Sequence, residues 1–181
     1  RAQLDVNLVA PAIVSSCALP GMRRLGGGRI VMVSSVAGRA AVLPLNAWYH
    51  ASKFGLEALS DVLRVEVASF GVAVSIVEPG FFKTGITGRA REMASRSAEH
   101  RDSKYALAYE RMDGWIALIE RFAPPASLVA FAIVSAVESR FPLRRYVVGL
   151  GALAAIAGEA VAPRALTDLA RRLAANLSAK S

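Results

Sequence analysis

Arg29-Ile-Val-Met-Val-Ser34 is a short, nearly continuous apolar run. A strand buried on both faces of a parallel sheet reads this way, whereas a half-exposed strand alternates. Upstream, Gly26-Gly27-Gly28 reads as a linker. Residues 2–24 before it show a helical pattern, apolar at Leu4, Leu8, Ala12, Val14, Ala18 and Leu19, with Pro11 inside as a bend. Downstream, residues 36–46 read as a loop and Asn46 as a helix N-cap. Ala47 to Phe70 is then helical, with Ala51, Phe54, Gly55, Ala58, Leu59, Val62 and Val65 on one side, and Gly71 ends it. Val72 to Val77 is a second buried strand, stopped by Pro79-Gly80.

The remaining chain is less regular. Residues 81–102 are charged, polar and without period. Lys104 to Phe122 is helical, Pro124-Pro125 opens a new segment, and Ala126 to Ser139 is helical again. Arg145 to Val148 is a third short strand, and residues 163–179 read as a terminal amphipathic helix. Helix, strand, helix, strand, helix, helix, strand is an α/β order with parallel crossovers. A chain of 181 residues buries one good core, so a single domain is expected.

Composition narrows the classes. The 54% apolar content fits a globular chain and excludes a disordered one. The net charge of +8 suggests nucleic acid, but the arginines are scattered in pairs such as Arg23-Arg24, Arg144-Arg145 and Arg171-Arg172, without interleaved aromatics. We read them as a solvated surface and expect no nucleic-acid partner. A single cysteine, Cys17, excludes an internal disulfide and a cysteine metal site. His50 and His100 have no partners at metal-ligand spacing, so no metal is expected. Tyr146 to Ala162 is apolar but short and glycine-rich for a membrane span. A cytoplasmic setting without an integral span is expected, with peripheral membrane association left open.

The chemistry concentrates in Tyr49-His-Ala-Ser-Lys53. Four residues separate a phenol from an ammonium within a helix, so both project from one face. A tyrosine ionises near pH ~10, and a fixed positive charge nearby stabilises its phenolate. Such a pair can give and take a proton at a hydroxyl or carbonyl carbon. Ser35 follows the first buried strand at its carboxyl end, where open parallel sheets bind ligands, and its hydroxyl can hold a substrate oxygen.

Four segments together resemble the short-chain dehydrogenase/reductase family, classical type. They are Asp5-Val-Asn7-Leu, Gly28 to Gly38 with its Ser34-Ser35 pair, Trp48-Tyr49 to Leu59, and Glu78-Pro79-Gly80-Phe-Phe-Lys-Thr84. The resemblance is close over residues 1–85 and loose beyond. It implies a Rossmann-type, doubly wound parallel sheet and an oxidoreductase that moves a hydride between NAD or NADP and a carbonyl or secondary alcohol. Tyr49 would be the general acid/base, Lys53 its charged neighbour and the holder of the nicotinamide ribose, and Ser35 the substrate-oxygen donor. Asn7 would anchor a water linked to Lys53. Pro79, Gly80, Phe82 and Thr84 would border the nicotinamide and a cofactor phosphate. A substrate lid is expected at about 81–125, where Phe81, Phe82, Tyr105, Tyr109, Met112, Trp115 and Ile116 favour a lipophilic substrate. A homodimer or homotetramer is expected, pairing the Asn7 and Tyr49 helices through Ala58, Leu59, Val62 and Val65.

The family's glycine-rich cofactor loop is not found in these residues. Gly26-Gly27-Gly28 precedes a strand instead of following one. Gly149-Leu-Gly151-Ala-Leu-Ala154 fits G-x-G-x-x-A but leaves no room for the second strand such a site needs. The chain therefore reads as the C-terminal portion of a longer enzyme, its sheet incomplete on the N-terminal side and the isolated piece inactive. The alternative is a non-catalytic binding protein on the same fold.

Overall fold

A computed structural model describes residues 1–83 and 106–175 of the chain. Thr84, His100, Tyr105, about half of the expected lid and the end of the terminal helix lie outside the described residues. The described elements are α1 (Ala2–Arg24), β1 (Gly28–Val33), α2 (Ala47–Val67), β2 (Val72–Pro79), α3 (Ala106–Phe122), α4 (Ser127–Glu138), β3 (Arg145–Val148), α5 (Leu150–Val161) and α6 (Arg164–Ala175). The fold is α/β and Rossmann-type, with a parallel sheet flanked by helices.

The three strands pair in the order β1-β2-β3, and both pairings are parallel. Val33 lies opposite Val77, so β1 and β2 release their following loops at neighbouring points. Ile30, Met32, Val72 and Val74 project to one side and form a core with Leu56 and Val67 of α2. Leu8, Leu19 and Met22 of α1 pack onto it. Leu56 is 2% exposed, and burying such a side chain contributes about 1.5–3 kcal/mol. Helix α4 packs on all three strands and buries Ala132 and Ala136. A second small core joins Val36 and Ala40, beyond β1, to Ala152 of α5.

Helix α1 changes character where the sequence suggests a bend. Asp5–Val9 forms a π turn, and Pro11 follows it at the start of the regular α segment. A widened turn accommodates the missing proline N–H without breaking the helix. By length and composition α1 is apolar enough to cross a membrane, with mean hydropathy 1.4. Its Leu8, Leu19 and Met22 nonetheless pack on the sheet as part of the fold.

The Gly26-Gly27-Gly28 linker is a helix stop. Gly26 has φ +75°, and the N–H groups of Gly26 and Gly27 donate to Arg23 and Met22 carbonyls at 3.1 and 3.0 Å. That is a Schellman cap, satisfying carbonyls the helix end would otherwise leave bare.

Two expectations change. Leu150–Val161 is a helix that the sequence pattern left as an apolar stretch. Part of the apolar side expected on α2 faces outward: Phe54, Val62 and Val65 are 45%, 57% and 77% exposed, while Leu59 packs on the core. The most deeply buried side carries Ser52, Leu56, Glu57 and Ser60. Asn46 occupies the N-cap position of α2, but its side chain makes no capping hydrogen bond.

Candidate active site

The first turns of α2 and the loop leaving β1 build the site. Tyr49 is half-buried in the first turn of α2 and Lys53 half-buried in the second. The Lys53 ammonium lies 5.9 Å from the Tyr49 ring centroid. It donates a 3.0 Å hydrogen bond to the Val33 carbonyl, the last residue of β1. An ammonium has three N–H donors, so this contact leaves two for other groups among the described residues. Burial pushes the Lys53 pKa down from its usual 10.5, and the Glu57 carboxylate partly offsets that.

Ser35 sits two residues beyond Val33, half-buried, with extended backbone. Its Oγ accepts a 3.2 Å hydrogen bond from the Ala37 amide and so caps the short 3-10 turn Val36–Gly38. That turn is pressed against α2. A Cβ on Gly38 would lie 2.8 Å from Ser34 Oγ, 2.9 Å from Glu57 Cγ and 3.0 Å from the Lys53 carbonyl. Glycine permits this approach, and an alanine there would lift the turn away from Lys53. The loop then passes Leu45 at φ 63°. A left-handed leucine costs about 1–2 kcal/mol, which the surrounding contacts overcome.

Asn7 lies in the π turn of α1. Its amide donates to Ser52 Oγ at 3.1 Å, and Ser52 Oγ donates to the Tyr49 carbonyl at 2.7 Å. Asn7 thus reaches the Tyr49 turn through a fully buried serine. Pro79 ends β2, and the Gly80 amide donates to the Val148 carbonyl of β3 at 3.0 Å. The Phe82 ring is buried against Gly149, directed into the protein. Any cofactor contact at Phe82 therefore falls to its backbone. The structure thus gathers Ser35, Tyr49 and Lys53 at the carboxyl end of β1, ties Asn7 in through Ser52, and sets Pro79-Gly80 at the end of the adjacent strand.

Sequence reasoning gave no role to the polar cluster one turn beyond Lys53. Glu78 is fully buried and Glu57 nearly so. Arg145 of β3 donates to Glu57, to Asp61 and, at 2.7 Å, to Glu78. Arg39 approaches Glu78 at 3.4 Å, and Arg64 pairs with Asp61 at 2.5 Å. Burial pushes Glu57 above the usual 4.5; a Ser34 contact lowers it, Glu78 raises it further, and Arg145 opposes that rise. Burial alone would lower Arg145, but its carboxylate partners hold it higher than usual. The hint in the sequence was the spacing of Lys53, Glu57 and Asp61, which puts three charges along one helical face.

A family model described as short chain dehydrogenase matches residues 1–95. Human 17-beta-hydroxysteroid dehydrogenase type 6 is 48% identical over 90 residues, which is 50% of this chain and 27% of that protein. Retinol dehydrogenase 16 of Mus musculus is 50% identical over 88 residues, 49% of this chain and 27% of that one. Short-chain dehydrogenase/reductase family 9C member 7 of Bos taurus is 36% identical over 173 residues, covering 91% of this chain and 54% of the relative. The chain thus spans about half or less of the length of these curated relatives. Among solved structures, a short-chain dehydrogenase from Streptomyces avermitilis superimposes with TM-score 0.66 at 26% identity, over 98% of this chain and 61% of that one. One from Burkholderia cenocepacia, crystallised with NADP, gives 0.67 at 21% identity, over 93% and 57%.

Proposed function

The chain belongs to the short-chain dehydrogenase family, and we propose that the whole protein is an NAD- or NADP-dependent oxidoreductase acting on a lipophilic alcohol or its carbonyl. The observation that carries this reading is the Tyr49–Lys53 pair at the carboxyl end of β1. The donor set fits a nicotinamide cofactor. Lys53 has two N–H groups beyond its bond to Val33, suited to ribose hydroxyls, and the Pro79-Gly80 turn supplies backbone beside it. Thr84 completes that set in our proposal. When bound, the cofactor accepts or supplies the hydride.

Tyr49 takes the alcohol proton as the carbonyl forms, and returns it in the reverse direction. Lys53 stabilises the phenolate that accepts this proton and that reappears when Tyr49 gives it back, because a partly desolvated ammonium interacts more strongly than a hydrated one. Ser35 holds the substrate oxygen and stabilises the charge that develops there. Asn7, tied to the Tyr49 turn through Ser52, orders water beside Lys53.

The substrate class is supported by the relatives named for hydroxysteroids and retinol, and by half-buried Phe81, Tyr109, Met112 and Ile116 beside exposed Trp115. We place these residues in one Rossmann-type domain, with the lid between β2 and α4. The test is turnover by the whole protein of steroid, retinoid and long-chain alcohols with NAD and with NADP. Turnover that survives Tyr49→Phe would refute the mechanism.

We further propose a cytoplasmic homodimer or homotetramer, with peripheral contact to membranes left to its exposed apolar helices. Val6, Ile13 and Val14 of α1 and Val62 and Val65 of α2 are exposed apolar side chains suited to self-pairing. Light scattering showing a monomer at assay concentration would exclude it.

A further inference from the structure

His50 follows Tyr49 in sequence and points into the fold, only 8% exposed. Both ring nitrogens are engaged. Nε2 accepts a 3.3 Å hydrogen bond from the Leu43 amide, and Nδ1 lies 2.9 Å from the Ala37 carbonyl. An amide N–H only donates, so Nε2 carries no proton. The ring proton is therefore on Nδ1 and is donated to Ala37. One imidazole thus clasps both ends of the segment 37–43.

The segment matters because of what else Ala37 holds. Its carbonyl receives the His50 proton while its amide donates to Ser35 Oγ at 3.2 Å. His50, Ala37 and Ser35 form one continuous hydrogen-bonded path, and His50 is the residue adjacent to Tyr49. The loop's other side is fixed independently, by Gly38 against α2 and by Arg39 on Glu78 at 3.4 Å.

We propose that His50 is a positioning residue that sets the Ser35 hydroxyl relative to the Tyr49 phenol, so that both reach one substrate oxygen. This rests on the roles given above to Ser35 and Tyr49. His50 itself touches no reacting atom; it acts through the Ala37 peptide. A misplacement of about 1 Å at such a site can cost on the order of 100-fold in rate.

Three variants of the whole protein separate this from a packing role. His50→Leu keeps bulk and loses both hydrogen bonds. His50→Asn keeps a donor near the Nδ1 position, facing Ala37. His50→Gln keeps an acceptor near Nε2, facing Leu43. The expected result is a kcat loss of about 10- to 100-fold for His50→Leu with the cofactor KM unchanged. His50→Asn should recover more of the rate than His50→Gln, because the Ala37 contact leads to Ser35. Equal kcat in His50→Leu and wild type, or equal losses in all three variants, would overturn the proposal.

Two measurements on the unliganded wild-type protein do not depend on turnover. Ring nitrogen chemical shifts should place the proton on Nδ1, and hydrogen exchange should show the Leu43 amide protected. A proton on Nε2, or a freely exchanging Leu43 amide, overturns the brace whether or not the enzyme turns over. An inactive wild type with both signatures present would overturn the proposed reaction instead. If His50→Leu fails to fold, the contrast between His50→Asn and His50→Gln and the wild-type signatures decide the question.

Discussion

Helix α2 carries two polar clusters one turn apart, and they are built in opposite ways. At its start, Tyr49 and Lys53 are half-buried, and Lys53 uses one N–H on the Val33 carbonyl. One and two turns on, Glu57 and Asp61 are bound by Arg145, which also takes Glu78 from β2. Burial pushes both Lys53 and Glu57 toward their neutral forms. A displaced pKa therefore does not distinguish a site from a strut. What distinguishes them is occupancy. Arg145 is taken up by three carboxylates and binds α2 to β2 and β3, leaving Glu57 Oε1 buried without a partner among the described residues, while Lys53 retains, among the same residues, donors that a ligand can take.

The largest effects test that division directly. Tyr49→Phe should lower turnover of the whole protein by about 10²- to 10⁴-fold and leave its melting temperature unchanged. Lys53→Met should do similar damage and weaken cofactor binding as well. Arg145→Met should show the reverse pattern. It leaves Glu57 buried without its cation and Glu78 with Arg39 alone at 3.4 Å, which costs about 3–5 kcal/mol of stability, read by urea denaturation. Turnover per folded molecule should change far less than in Tyr49→Phe. Arg145→Met that keeps its stability but loses its turnover would break the comparison, and would move Arg145 into the site.

The sequence carried the first cluster and hid the second. Tyr49 and Lys53 lie within one helical turn, and Ser35 within a few residues of a strong strand signal. Local pattern therefore reveals them. Arg145 and Glu57 are 88 residues apart, and nothing local marks an arginine at the start of β3 as the partner of a helix glutamate. His50 was set aside for the same reason: its partners Ala37 and Leu43 are backbone groups, which a sequence does not advertise. The strand Arg145–Val148 and the end of α2 before Gly71 were legible because β-branched runs and glycine stops are local signals. The packed face of α2 was not. Ser52 and Ser60 turn their hydroxyls onto backbone carbonyls of their own helix, at 2.7 and 2.6 Å, and pass as small core residues. Helix α5 was missed because Leu-Gly-Ala-Leu-Ala-Ala-Ile-Ala-Gly has no polar face to give it a period.

The smallest effect probes the cluster from within, through pH. Glu57 has its pKa raised, by burial first and by Glu78 in addition, against the pull of Ser34 and Arg145. The folded protein therefore keeps the Glu57 proton to higher pH than the unfolded chain. Its favourable contribution is complete below about pH 4.5, the usual value, and is lost as pH rises through the folded value. Asp61 runs the other way. Partial burial would raise it, but the hydrogen bonds and charges of Arg64 and Arg145 hold it below the usual 3.8. Its contribution is present above that value and is lost as pH falls. Glu57→Gln should thus flatten the fall in stability from pH 4.5 upward and leave the protein no less stable at neutrality. Asp61→Asn should weaken the protein at neutrality and change little in acid; as a half-exposed pair its effect should stay below about 1 kcal/mol. Denaturation curves of both variants from acid to neutral pH give the two signs. If both variants lost stability at neutral pH, Glu57 would be gaining more from Arg145 than it loses by burial. The cluster would then be a net stabilising ion pair, instead of a buried charge held in place by its neighbours.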